Sequence, residues 1–157
     1  MRPGGSGCGA LDDSLSFAVE SLCFGGGPGG RAVLREDSLT GTVIGLALRV
    51  HRQLGPGLLE SVYEEALCFE LQQAGIAHER QAAVPVVYGN VELPAGFRAD
   101  VLVEDDLLLE IKSVESLSRL HEAQVLTYLR MTGRRTGLLL NFNTLVLKDG
   151  LRRFVRG

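Results

Sequence analysis

The chain has no tryptophan, only three cysteines and little net charge of either sign, and each shortage narrows what it can be. Cys8, Cys23 and Cys68 form no CxxC pair, and an odd number cannot all pair within one chain, so neither a disulfide framework nor a zinc site is indicated. Reduced thiols in a cytoplasmic protein are expected. No run approaches the roughly 18 apolar residues of a membrane helix, and Arg2 is not followed by the ~7–15-residue apolar stretch of a secretory signal. A soluble chain without a membrane partner is the expectation. The formal net charge of -3 gives no basic signature, so any nucleic-acid binding has to come from a local patch. There is no internal repeat and no glycine-rich phosphate loop, which argues against a hydrolase of small phosphoesters.

What is present is enough apolar residue for one core: 157 residues, 45% hydrophobic, indicate a single domain. Glycine is concentrated near the N-terminus, where Gly4-Gly5-Ser6-Gly7 and the run from Gly25 to Gly30 bracket a modestly apolar stretch at 15–24. Fixing such glycine runs is entropically costly, so residues 1–38 read as a mostly disordered tail with one short helix, and residues 39–157 as the folded domain. From Leu39, apolar residues recur every three or four positions up to Leu54, and Gly55-Pro56-Gly57 ends that helix. A second helix is predicted over 58–74, burying Leu59, Val62, Ala66, Leu67 and Leu71. Strands are predicted over 83–88, 97–103, 107–113 and 136–141, with a helix over 117–131 and an edge hairpin at 146–155 turning at Asp149-Gly150. The order helix, three strands, helix, strand, after an added N-terminal helix, argues an α/β layer structure.

Candidate chemistry lies mainly at Asp100 and at Glu110-Ile111-Lys112, which put two acids and a lysine on neighbouring strands in an apolar setting. Alternation places Glu110 and Lys112 on one face about 7 Å apart. Two carboxylates suit a hard divalent cation, and the lysine could orient or deprotonate a water or offset phosphate charge. A two-residue turn at Asp105-Asp106 would put Asp100 and Glu110 on opposite faces, so a three-residue loop or a bulge is required. Glu60 opens the second helix, with Tyr63 and Glu64 on its side. His121, Gln124 and Tyr128 form a stripe at i, i+3 and i+7 on the later helix. Arg49, Arg52, Arg130, Arg134, Arg135, Arg152 and Arg153 are candidates to hold a phosphate backbone.

From about residue 39 to 155 the chain resembles the GxxExxY family, a bacterial branch of the PD-(D/E)XK nuclease superfamily. The resemblance is carried by the segment from Val50 to Tyr63, with Gly57, Glu60 and Tyr63 at the spacing that names the family, and by Arg98-Ala99-Asp100 and Glu110-Ile111-Lys112. His121 to Gln124, Leu126 to Arg130 and Asn141-Phe142-Asn143 complete it. It implies a restriction-endonuclease-like core with Asp100, Glu110 and Glu60 as metal ligands, Lys112 positioning water and Gln124 as a helper. A Mg²⁺- or Mn²⁺-dependent nuclease acting on DNA is the expectation, with Tyr63, His121, Tyr128, Arg52 and Arg130 as candidate substrate contacts. The alternative is a non-catalytic nucleic-acid- or protein-binding module that keeps the nuclease fold.

Overall fold

A computed structural model describes residues 17–20 and 33–157. Along the chain it contains β1 (Phe17–Glu20), α1 (Val33–Leu54), α2 (Glu60–Gln73), β2 (His78–Tyr88), β3 (Val91–Val103) and β4 (Leu107–Lys112). These are followed by α3 (Arg119–Thr132), β5 (Thr136–Asn141), a 3₁₀ turn (Leu147–Gly150) and β6 (Leu151–Arg156). The strands form one six-stranded sheet in the order β1-β6-β5-β4-β3-β2. Among the described strands, only β4 and β5 run parallel, and the crossover this requires is α3.

Apolar residues cover both faces of the central strands, so helices are needed on each side. On one face α1 and α2 bring Val43, Val50, Leu67 and Leu71 against Val101, Leu109, Ile111, Leu138 and Leu140. On the other, Val125 and Leu129 of α3 pack on Leu102, Leu108, Leu139 and Phe154. Period-two alternation in β4 therefore sends Leu109 and Ile111 toward α2, and Leu108 and Glu110 toward α3. Among the described residues, no helix is long and apolar enough to cross a membrane.

Several sequence expectations need correction. The strand β1 lies within the stretch read as a short helix, and it pairs antiparallel with β6 from Phe17↔Arg156 to Glu20↔Arg153. The rest of the expected tail before residue 33 falls outside the described residues, and α1 starts at Val33 rather than Leu39. In α2 the buried face is Tyr63, Glu64, Leu67 and Leu71, whereas Leu59 and Val62 are exposed. The edge hairpin at 146–155 is instead the 3₁₀ turn followed by the single strand β6, which pairs with β5 from Thr136↔Val155 to Leu140↔Leu151. Gly150, read as a hairpin turn residue, is required by close approach: a β-carbon there would lie 2.4 Å from the Asn141 carbonyl oxygen.

Close approach also sets the distance of α3 from the sheet. A β-carbon at Gly137 of β5 would stand 2.7 Å from Val125 Cγ1 and 3.2 Å from Leu129 Cδ1. Gly137→Ala is expected to destabilise the fold by roughly 1–3 kcal/mol through overpacking. Urea denaturation checks this, and a change below about 0.5 kcal/mol would show that α3 lifts off the sheet freely.

Candidate active site

The loop between β3 and β4 has three residues, 104–106, with Val103 paired to Leu107, Leu102 to Leu108 and Val101 to Leu109. Glu104 takes the left-handed region at φ 48°, and its N–H donates to the Ala77 carbonyl at 2.9 Å, which anchors the loop. This register brings Asp100 and Glu110 to neighbouring positions on adjacent strands, as a shared cation site would need. The main-chain ladder stops there. Asp100 replaces it with its side chain: Oδ2 accepts from the Ile111 N–H at 2.8 Å, so the carboxylate lies where the two strands part.

Glu110 is 1% exposed. Its Oε1 accepts from Lys112 Nζ at 2.6 Å, while Oε2 is buried with no hydrogen-bond partner. Burial is the main reason its pKa rises from 4.5 to about 7, the Asp100 charge adds to the rise, and Lys112 opposes it. Burial likewise raises the Asp100 pKa, against the bond from Ile111 and the charge of Lys112. For Lys112, burial works against the ammonium, but the hydrogen bond to Glu110 and the charges of Glu110, Asp100 and Glu60 outweigh it and leave the pKa above its ordinary value. Lys112 is therefore an ammonium near neutral pH.

Glu60 is exposed at the first position of α2, and its Oε1 accepts from the Ser113 N–H at 3.0 Å. The Ser113 hydroxyl donates to the Leu58 carbonyl at 2.6 Å, so the end of β4 is tied to the start of α2 twice. Tyr63 is fully buried and stacked on Phe142 at 4.5 Å. Its hydroxyl donates to the Gly55 carbonyl at 2.6 Å and accepts from the Leu58 N–H at 3.0 Å. Both Gly55 (φ 69°) and Gly57 (φ 98°) occupy the left-handed region that lets this loop turn back on the tyrosine. Tyr63 thus clamps the loop that presents Glu60 and has no face left for a substrate, contrary to the expectation.

Other expected members stand elsewhere. Gln124 Nε2 donates to the Tyr128 hydroxyl at 2.8 Å rather than to the acids, and the Tyr128 ring stacks on Phe97 at 3.7 Å. His121 takes part in the capping box of α3, accepting at Nδ1 from the Ser118 N–H. Arg130 donates to Thr127 Oγ1, and Arg134 to the Glu104 carbonyl. Both arginines flank the end of the sheet where Thr136 pairs with Leu107, whereas the acids lie toward Lys112 and Asn141 at the other end. Arg52 is exposed in the last turn of α1, beside His51, whose Nε2 lies 2.8 Å from the Thr144 carbonyl oxygen at the acidic end.

Other neighbours of the acids had no expected role. Glu64 is buried on α2 and accepts from Arg80 Nε at 2.5 Å and Gln81 Nε2 at 2.8 Å, with Gln81 Nε2 also 3.4 Å from Asp100 Oδ1. A glutamate between Tyr63 and Leu67 on an apolar face was the available signal; nothing in the sequence marked Gln81. Asn141, also buried, fastens the segment after β4 through both halves of its amide to Val114.

Among the described residues, no group of three or more His, Cys, Asp or Glu side chains forms a ready-made metal cage. A hard cation that keeps much of its water shell requires less, one or two carboxylates, and the unpartnered Glu110 Oε2 beside Asp100 fits that demand.

The raised Glu110 pKa has a stability consequence. Between pH 4.5 and about 7 the native carboxyl keeps a proton that the unfolded chain has released, so this contribution is greatest at low pH and is lost as pH rises through 7. At about 1.4 kcal/mol per pKa unit the loss is on the order of 3 kcal/mol. Urea denaturation in EDTA should show the parent losing about that much relative to Glu110→Gln between pH 4.5 and roughly 8. A pH-independent difference would mean that Lys112 fully compensates the carboxylate.

The family model for the PD-(D/E)XK nuclease superfamily matches residues 37–154, from within α1 to within β6. No curated protein and no solved structure matches the chain. The matched span covers most of the sequence and contains the acids, the lysine and strands β2 to β5 that bring them together, and on that extent the chain belongs to the PD-(D/E)XK nuclease superfamily.

Proposed function

We propose that this chain is a Mg²⁺- or Mn²⁺-dependent nuclease that hydrolyses phosphodiester bonds in DNA, and that it belongs to the GxxExxY branch of the superfamily. Membership of a nuclease superfamily implies a nucleic-acid substrate, and nucleases of this superfamily generally use divalent metals. The observation that carries the reading is Glu110, a buried carboxylate with one oxygen on Lys112 and the other without a partner, next to Asp100. A soluble enzyme has little reason to bury that arrangement for stability alone. The cytoplasm is the compartment proposed for it, on the reading of its three cysteines as reduced thiols.

Asp100 and Glu110 would hold the ion, with Glu60 as the third acid at the mouth of the site. A bound divalent ion supplies charge for the phosphate oxygens and lowers the pKa of an attacking water. Asp100 is oriented for its share by the Ile111 N–H. Lys112 is fixed by Glu110, and because its pKa is raised it serves as a donor that orients water and offsets developing phosphate charge, not as the proton acceptor. Glu60 keeps a second oxygen beyond the one bonded to Ser113. Gln124 would assist only after giving up Tyr128.

One observation favours the alternative of a binding module: Arg130 and Arg134, two of the arginines expected to hold a phosphate backbone, are engaged at the far end of the sheet from the acids. Plasmid cleavage separates the two. The parent should nick or linearise supercoiled DNA with Mg²⁺ and not with EDTA, and Lys112→Ala should cut at least about 100-fold more slowly. Mg²⁺ at about a hundred times its dissociation constant should stabilise the parent by about 2.7 kcal/mol, which raises the melting temperature by roughly 5–10 °C. Lys112→Ala should keep that rise, while Asp100→Ala and Glu110→Ala should lose most of it. A parent that neither cuts nor responds to Mg²⁺ or Mn²⁺ leaves the binding module as the function.

A further inference from the structure

Two consecutive residues of β2, Arg80 and Gln81, both bond Glu64 on α2, the first through Nε at 2.5 Å and the second through Nε2 at 2.8 Å. In a regular strand this cannot happen, because neighbouring side chains point to opposite faces of the sheet. Arg80 is placed by the normal pattern: it pairs with Val101, whose side chain packs under α1 and α2. Ala82 and its partner Ala99 pack instead in the cluster under α3. Gln81 lies between them with φ 52°, and the left-handed turn of its backbone brings its side chain back to Glu64. Apart from Glu104 in the β3–β4 loop, it is the one non-glycine residue at positive φ among those described.

A glutamine held in that region is under strain, which persists only where the surroundings fix it. Here the fixing groups are known. Glu64 is 5% exposed, and its two oxygens are taken by Arg80 and Gln81, so the glutamine amide cannot turn away. The same Nε2 faces Asp100 Oδ1 at 3.4 Å, while Asp100 Oδ2 is held by the Ile111 N–H at 2.8 Å. Asp100 is thereby bracketed by a donor from β2 on one side and a donor from β4 on the other. A chain of contacts runs from Arg80 through Glu64 and Gln81 to Asp100.

We propose that Gln81 is a positioning residue for Asp100. Its strained backbone sets the rotation of that carboxylate, and Glu64 locks the glutamine amide from behind. The role rests on the metal-dependent reading above, since a carboxylate aimed in advance is what a cation at Asp100 and Glu110 would need. Outer groups of this kind commonly change metal affinity by 10–100-fold when removed.

The test uses Gln81→Gly and Gln81→Glu. Glycine accepts φ 52° without strain, so the first variant should fold while lacking the amide. The second keeps the shape but replaces the donor with a carboxylate. Three quantities are read: amide exchange at Ile111 in EDTA, the Mg²⁺ or Mn²⁺ midpoint from thermal shift, and kcat and KM on plasmid DNA. In Gln81→Gly, the Ile111 amide should exchange on the order of tenfold faster, with Leu109 and Leu138 unchanged, because Asp100 is released locally. The metal midpoint should rise about tenfold or more in both variants, and kcat should fall at saturating DNA with KM nearly constant. A structural role alone would alter melting temperature and leave the midpoint in place. An unchanged metal midpoint or an unchanged Ile111 exchange rate in Gln81→Gly, with the parent responding to metal, overturns the role of Gln81 and leaves the nuclease reading intact. A parent that responds to neither ion overturns the metal reading, and the positioning role with it.

Discussion

The hydrogen bond from the Ile111 N–H to Asp100 Oδ2 is the constraint on which the acidic end of this fold depends. Ile111 is buried, and its amide would lose free energy if left without an acceptor where water cannot reach. A regular antiparallel ladder would supply a carbonyl from β3 and keep the strands together. Asp100 supplies a carboxylate oxygen instead, so β3 can leave β4 without orphaning the donor. The gap between the strands and the fixed position of the acid are therefore one event. The hydrogen bond also favours the ionised form of Asp100, working against the burial that raises its pKa.

Around that split, the two faces of the sheet contribute different things. The α2 side brings Glu60, held by the Tyr63 clamp and by Ser113, and Glu64, held by Arg80 and Gln81. Beneath α3 the packing is mostly apolar, with Val125 and Leu129 on the sheet, and Glu110 is 1% exposed. Parallel pairing of β4 with β5 from Leu107↔Thr136 to Lys112↔Asn141 fixes the end of β4, and the Phe142 N–H extends it by donating to the Lys112 carbonyl at 2.8 Å. Lys112 is thus held at its main chain by one neighbour and at its ammonium by Glu110.

Residue types made much of this legible in advance. The apolar residues on both faces of β4 and β5 mark central strands, and β5 spans the residues expected. The loop of three residues between β3 and β4 followed from asking that Asp100 and Glu110 share a face. Other parts left no mark on the sequence. The first half of β2, His-Glu-Arg-Gln, has no alternation of apolar and polar residues, and three of its side chains, His78, Arg80 and Gln81, bond the main chain or Glu64. The left-handed backbone of Gln81 is imposed by tertiary contacts and breaks the usual preference for glycine or asparagine there. Tyr63 was placed near the site by its spacing from Glu60, but spacing does not say whether a tyrosine faces solvent or closes a loop. The phase of α2 was misread because the buried stripe runs through Tyr63 and Glu64, a charged residue, rather than through Leu59 and Val62.

The bond between Glu60 and Ser113 joins residues 53 apart in the chain, and those from Gln81 to Asp100 and to Glu64 join residues 19 and 17 apart. By contrast, the β3–β4 hairpin closes over three residues, and each helix bonds within itself. Loop-closure entropy disfavours the distant pairings until enough of the core has formed to hold the elements together. During folding the helices and the hairpin can arise before α2 docks on the sheet. Glu60 and Glu64 join Asp100 and Glu110 only with that docking, so before α2 docks the four carboxylates are not yet in one place, and their mutual repulsion appears only when they are brought together.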